Sequence, residues 1–124
     1  MTTLRLIREG RAPSPEHRLV APARLRTDVL AALYDDVRAG KLDDRSGRRE
    51  LEQFAEIPIR LLGDRVSRST AWSIASSLDW DDVGPAEYLA VAKLQADALV
   101  TEQAQLIAGA DGLIPVAPFS ALFG

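Results

Sequence analysis

The residues of this chain best suited to do chemistry are carboxylates: Asp28, the pair Asp81 and Asp82, then Glu87 and Glu102. Most of them fall in the stretch WDDVGPAEYLAVAKLQADALVTEQAQLIAGADGLIPVAP, residues 80–118. That stretch reads as an acidic loop, a helix, a short apolar strand, a second helix and a second strand. Glu102 directly follows the apolar run Ala98–Thr101. In open α/β sheets, ligands bind beyond the carboxyl ends of the strands. Acids gathered there hold hard cations such as Mg2+. Each acid also has a plainer use. Asp81, Asp82 and Glu87 surround the start of a helix, where negative charge is favourable. Asp28 sits at the edge of an apolar helix face, within reach of Arg24, and an exposed pair of that kind stabilises only weakly.

Other chemistries find little support. The chain has no cysteine, which excludes thiolate zinc sites, cysteine nucleophiles and disulfides. The single histidine, His17, has no serine and acid at triad spacing, and reads as a structural or surface residue. Gly-rich phosphate loops, zinc-ligand spacings and a Gly-x-Ser-x-Gly elbow are all absent. Trp72 and Trp80 read as packing residues, with stacking on a base or a partner helix as a second use for Trp80.

The net charge of −3 conceals an asymmetry. Residues 1–26 hold six arginines (Arg5, Arg8, Arg11, Arg18, Arg24 and Arg26) against Glu9 and Glu16, whereas residues 79–124 hold seven acids against Lys93 alone. A basic end could touch phosphates or an acidic partner, although charge runs more often simply face water. No apolar run reaches the ~20 residues of a membrane span, and no signal-peptide core opens the chain. The expected compartment is the cytoplasm.

At 124 residues one domain is expected, with enough chain to bury a core. Leu4, Leu6 and Ile7 form a short amphipathic stretch closed by Gly10, and Pro13 and Pro15 break the chain beyond it. Leu19–Ala21 is a candidate strand, and Pro22 can open a helix running to Ala39 with Gly40 as its left-handed cap. Asp43 should cap a second helix that buries Leu51, Phe54 and Ala55. A strand follows within residues 57–62. Asp64 or Ser67 should cap a third helix with Val66, Thr70, Ile74 and Leu78 on one stripe. A fourth helix begins at Pro85 and carries Tyr88, Ala92 and Ala96. Strand Ala98–Thr101, a helix to Ala108, a turn over Gly109–Gly112 and strand Leu113–Val116 complete the order. Short apolar strands alternating with helices imply a parallel sheet flanked by helices.

Three stretches carry a family resemblance: HRLVAPARLRTDVLAALY, IPIRLLGDRVSRSTAW, and PAEYLAVAKLQADALVTEQAQL with its closing GLIPVAP. Over residues 17–118 the chain resembles a PIN domain of the VapC-like toxin family. The resemblance implies a PIN-like three-layer α/β fold. It also implies a metal-dependent ribonuclease, in which several acids hold Mg2+ or Mn2+, and control by an antitoxin protein. The cation in such sites activates a water against a phosphodiester and offsets charge on the phosphoryl oxygens. On this reading Asp28, Glu87 and Glu102 are the catalytic candidates, and Asp28, Asp82, Glu87 and Glu102 the metal ligands. The family's opening strand and its aspartate have no counterpart, and two further acid positions hold Pro85 and Gln103.

Three readings stay open. The chain is a Mg2+-dependent ribonuclease, or a catalytically inactive PIN-like module binding an antitoxin-like protein or RNA, or its true start lies upstream of Met1 and supplies the first strand. A sheet without its central strand exposes edges that invite pairing with another chain, so a homodimer or a partner-bound state is expected unless residues 2–7 fill the gap.

Overall fold

In the computed structural model, which describes residues 1–124, the chain is α/β. It contains helices α1 (Thr2–Glu9), α2 (Leu25–Arg38), α3 (Asp44–Glu56), α4 (Arg65–Ser77), α5 (Gly84–Gln95) and α6 (Ala104–Ala110). Strands β1 (Leu19–Pro22), β2 (Ile59–Leu62), β3 (Leu99–Val100) and β4 (Val116–Ala117) alternate with them, and a 3-10 turn over Phe119–Phe123 closes the chain.

The helix boundaries follow local chemistry. Asp43 accepts from the Ser46 amide at 2.7 Å and starts α3. At α4 the Asp64 carboxylate accepts from the Ser67 amide while the Ser67 hydroxyl accepts from the Asp64 amide, a reciprocal cap. Gly10 ends α1 in the left-handed conformation at φ 65°. Pro85 lies in the first turn of α5, where its missing N–H costs nothing.

The strands form two separate parallel pairs, β1 with β2 and β3 with β4, where a single sheet was expected. Helix α5 joins them. It buries Gly84, Ala86, Leu89, Ala90, Val91 and Ala92, so it is enclosed on several sides. One core groups Ala86, Leu89, Ala90 and Ala92 with Ala71, Ile74 and Ala75 of α4, Leu106 and Ala110 of α6, and Ile114. A second packs Leu4 of α1 on Leu25, Val29 and Leu33 of α2, beneath Ile59 and Leu61 of β2. A third collects Leu6, Phe119 and Leu122 against Leu19 and Val100.

Several side chains fall elsewhere than the sequence suggests. On α4 the inward stripe is Ala71, Ile74 and Ala75, while Val66 is 60% and Trp72 75% exposed. The alanine-rich α5 can come close only to small residues, so alanines rather than the largest apolar groups face it. Ala55 of α3 is exposed. Helix α6 runs on to Ala110 and displaces the last strand to Val116–Ala117.

Gly109 lets Trp80 lie against α6: a Cβ there would meet the indole ring at 2.8 Å and Leu89 Cδ1 at 2.9 Å. Gly109→Ala would normally gain up to about 1 kcal/mol of helix propensity. A rigid ring that cannot swing aside makes overpacking, about 1–3 kcal/mol, the larger effect. Gly109→Ala should therefore lower the melting temperature by roughly 3–6 °C and shift tryptophan emission; a raised melting temperature would refute this packing.

Candidate functional site

The chain brings two of its candidate acids together, and an arginine lies between them. Arg24 precedes α2 and Asp28 stands one turn later. The Arg24 Nε donates to Asp28 Oδ2 at 3.0 Å and Nη2 to Asp28 Oδ1 at 3.3 Å. The third guanidinium nitrogen, Nη1, donates to Glu87 Oε2 at 3.1 Å across to the first turn of α5. Tyr88, the next residue, turns its hydroxyl to donate to Asp28 Oδ2 at 2.5 Å.

Both Asp28 oxygens and one Glu87 oxygen are thus engaged inside the protein. The planar fork of arginine suits this arrangement, since it bonds two carboxylates at once. The packing is close because residue 84 is glycine: a Cβ there would lie within 2.1 Å of Arg24 Nη1. The three charged side chains are between a quarter and a third exposed. Charge-assisted bonding to Asp28, reinforced by Glu87, holds the Arg24 guanidinium well above its ordinary pKa. Burial, then the bond to Asp28, pushes the Tyr88 phenol far above its usual value.

The remaining candidates are used elsewhere. Glu102 pairs with Arg5 of α1. Asp82 accepts from the Gly84 amide at 3.0 Å and shapes the loop entering α5. No three Asp, Glu or His side chains lie close enough to hold a metal ion, so the residues present do not fit the several-acid set that the PIN resemblance implies. Mg2+ needs oxygen ligands with negative charge to spare; here the positive group beside Asp28 and Glu87 is a guanidinium.

Arg5, Arg8 and Arg11 of the arginine-rich end are likewise committed. Arg8 reaches Glu50 at 2.7 Å and Asp36 at 3.0 Å, tying α1 to α3 and α2. Arg5 also bonds Glu9 at 2.7 Å and lies over the Phe119 ring, and Arg11 lies over Phe123. No helix is long and apolar enough to cross a membrane. Comparison with protein families, with characterised proteins and with solved structures found no match to this chain.

The Arg24–Asp28 pair was legible from its spacing. The Glu87 and Tyr88 partners come from a helix some sixty residues later in the chain; the weak local signal for them is Gly84-Pro85, which marks a helix start with a bare backbone.

The Tyr88 environment has a pH signature. Its folded pKa lies above the ordinary value of 10.0, so above about pH 10 the unfolded chain releases this proton first. The native state then holds more protons, and stability falls as pH rises. Urea melts between pH 9 and 11 should show that decline, and Tyr88→Phe should flatten it. Equal slopes for the two proteins would contradict the buried Tyr88–Asp28 bond.

Proposed function

We propose that this chain is a PIN-like domain, related to toxin–antitoxin ribonucleases, that serves as a binding module and not as a hydrolase. One observation carries the reading: a single guanidinium engages Asp28 and Glu87, the two candidate acids that come together. A nuclease of this kind relies on a cation that generates hydroxide and neutralises the phosphoryl oxygens. With Arg24 fixed between them, Asp28 and Glu87 keep little charge for a divalent ion. The same arginine would favour phosphate binding only if it left both partners, at a cost set by two charge-assisted contacts.

A polypeptide partner is favoured over RNA. Arg5, Arg8 and Arg24 are all paired with acids of this chain, which removes much of the positive field that RNA binding draws on. An antitoxin-like protein, or a second copy in a homodimer, is the partner class consistent with a basic end in which Arg5, Arg8 and Arg24 are already paired.

The deciding experiment is RNA cleavage by the purified protein with and without Mg2+ or Mn2+. No metal-dependent cleavage is expected, and Asp28→Ala should leave the background unchanged. Arg24→Ala, which releases both carboxylates, should strengthen Mn2+ binding in calorimetry relative to the unaltered protein. Cleavage that requires Mg2+ and disappears in Asp28→Ala would overturn the binding-module reading and restore the nuclease.

A further inference from the structure

The two sheets turn bare edges toward one slot. Ala23 N–H reaches the Leu62 carbonyl, so the alternation of an extended strand points the amides of Ala21 and Leu19 at β2 and that of Val20 away from it. Leu99 N–H likewise reaches the Pro115 carbonyl of the neighbouring strand, which turns the Val100 amide away from β4. Neither Val20 nor Val100 has a strand on its other side. Both line the same cavity, whose walls are β1 and β3 and whose lining is mostly hydrophobic. Helix α5 contributes Val91 and Ala92, and the start of α1 contributes Met1 and Thr2.

The slot measures about 190 Å³, many times the roughly 10–15 Å³ a water needs on the same measure. Water in it would meet apolar walls, and unpaired strand amides are costly when enclosed. Residues 2–7 do not fill the gap as a strand, because Thr2–Glu9 is helical and its amides from Arg5 onward are spent within the helix. Two-stranded sheets are also marginal by themselves. Even Pro22 fits the pattern: it stands in register with Val20, on the side where its missing N–H removes nothing from the β1–β2 ladder.

We propose that the slot between β1 and β3 binds an extended apolar segment of a partner polypeptide, which pairs with both edges and merges the two sheets in the order β2, β1, partner, β3, β4. Only an extended peptide offers donors and acceptors along both of its edges at once. Helices on either face require apolar side chains pointing both ways, as in any strand buried on both faces. Added parallel to β1, the segment places its leading residue beside Arg18, which lines the slot; an acidic residue there is the complementary charge. The partner motif is thus one acid followed by about four β-branched residues, matching the length of β1. The inference rests on the binding-module reading only in taking a polypeptide as partner.

The test uses the acetylated peptide Glu-Val-Ile-Val-Val-Lys-Lys, fluorescently labelled at its end, and anisotropy with the full chain. Saturable binding is expected. N-methylation of its second and third valines should weaken binding about tenfold or more, since it deletes edge donors while keeping the apolar surface. Val20→Pro should do the same with far-ultraviolet dichroism unchanged, because the β1–β2 ladder does not use that amide; Arg18→Glu should weaken binding by a smaller factor. If Val20→Pro fails to fold, the N-methylated peptide on the unaltered protein remains decisive. Absence of binding, or equal binding of the two peptides, overturns the proposal. So does a homodimer that Val20→Pro splits, which would assign the slot to a second copy. Stabilisation only by the same strand fused ahead of Met1 overturns it as well, in favour of an intramolecular strand. Peptide capture by a protein that also cleaves RNA would leave the slot standing and sink only the binding-module reading.

Discussion

The burial of α5 is the constraint on which the rest of this structure depends. The two strand pairs share no ladder, so no β-sheet hydrogen bonding runs from one pair to the other. Continuity comes chiefly from one helix with apolar residues on several sides, with the smaller core of Leu6, Phe119 and Leu122 beside it. Ala86, Leu89 and Ala90 are fully enclosed, and Tyr88 extends from the same helix into the second core. Small side chains make this workable. Alanines on α4 and α5 allow a close approach that larger residues would prevent, and Gly109 admits the Trp80 ring. A helix surrounded in this way tolerates few changes in volume, because dense interiors cannot relax around added or missing atoms.

The charged cluster extends the same logic to polar groups. Half-buried Asp28 and Glu87 would repel each other and lose hydration with nothing in return. Arg24 answers both needs with one delocalised cation, and Tyr88 satisfies a remaining Asp28 lone pair. No buried side-chain polar atom in the molecule is left without a partner. The arrangement also fastens the segment before α2 to the first turn of α5, so it works as a clamp between two elements that meet only in the folded state. A cluster with the outward look of a cation site is internally neutralised to within one charge.

The free strand edges stand in contrast. Side chains here are satisfied, yet the Val20 and Val100 amides face a slot enclosed by apolar groups. In most folds such edges are paired, covered or guarded by charge. Met1 and Thr2 reach the slot, and the cluster of Leu6, Phe119 and Leu122 packs against the side chains of Leu19 and Val100. A helix can shield an edge from water, but it cannot pair along that edge as a strand does, because beyond its first turn its amides are already paired along its axis.

What could be read along the chain was whatever depends on neighbours in sequence. Asp43, Asp64 and Gly10 mark helix ends because their chemistry acts on amides two to four residues away. Pro85 marks a helix start for the same reason, and Arg24 with Asp28 declares itself through one helical turn. The alternation of short apolar runs with helices likewise indicates an α/β chain with parallel strands. Tertiary structure decided the rest. It chose Ala71 over Val66 as the inward face of α4, since the partner helix sets how large an inward residue can be. It sent Glu102 to Arg5 and Glu87 to Arg24, because an ion pair depends on distance in space and the partners lie far apart in the chain. It also separated the strands into two pairs, since hydrogen bonding between strands depends on which edges meet, and edges carry no mark in the order of side chains.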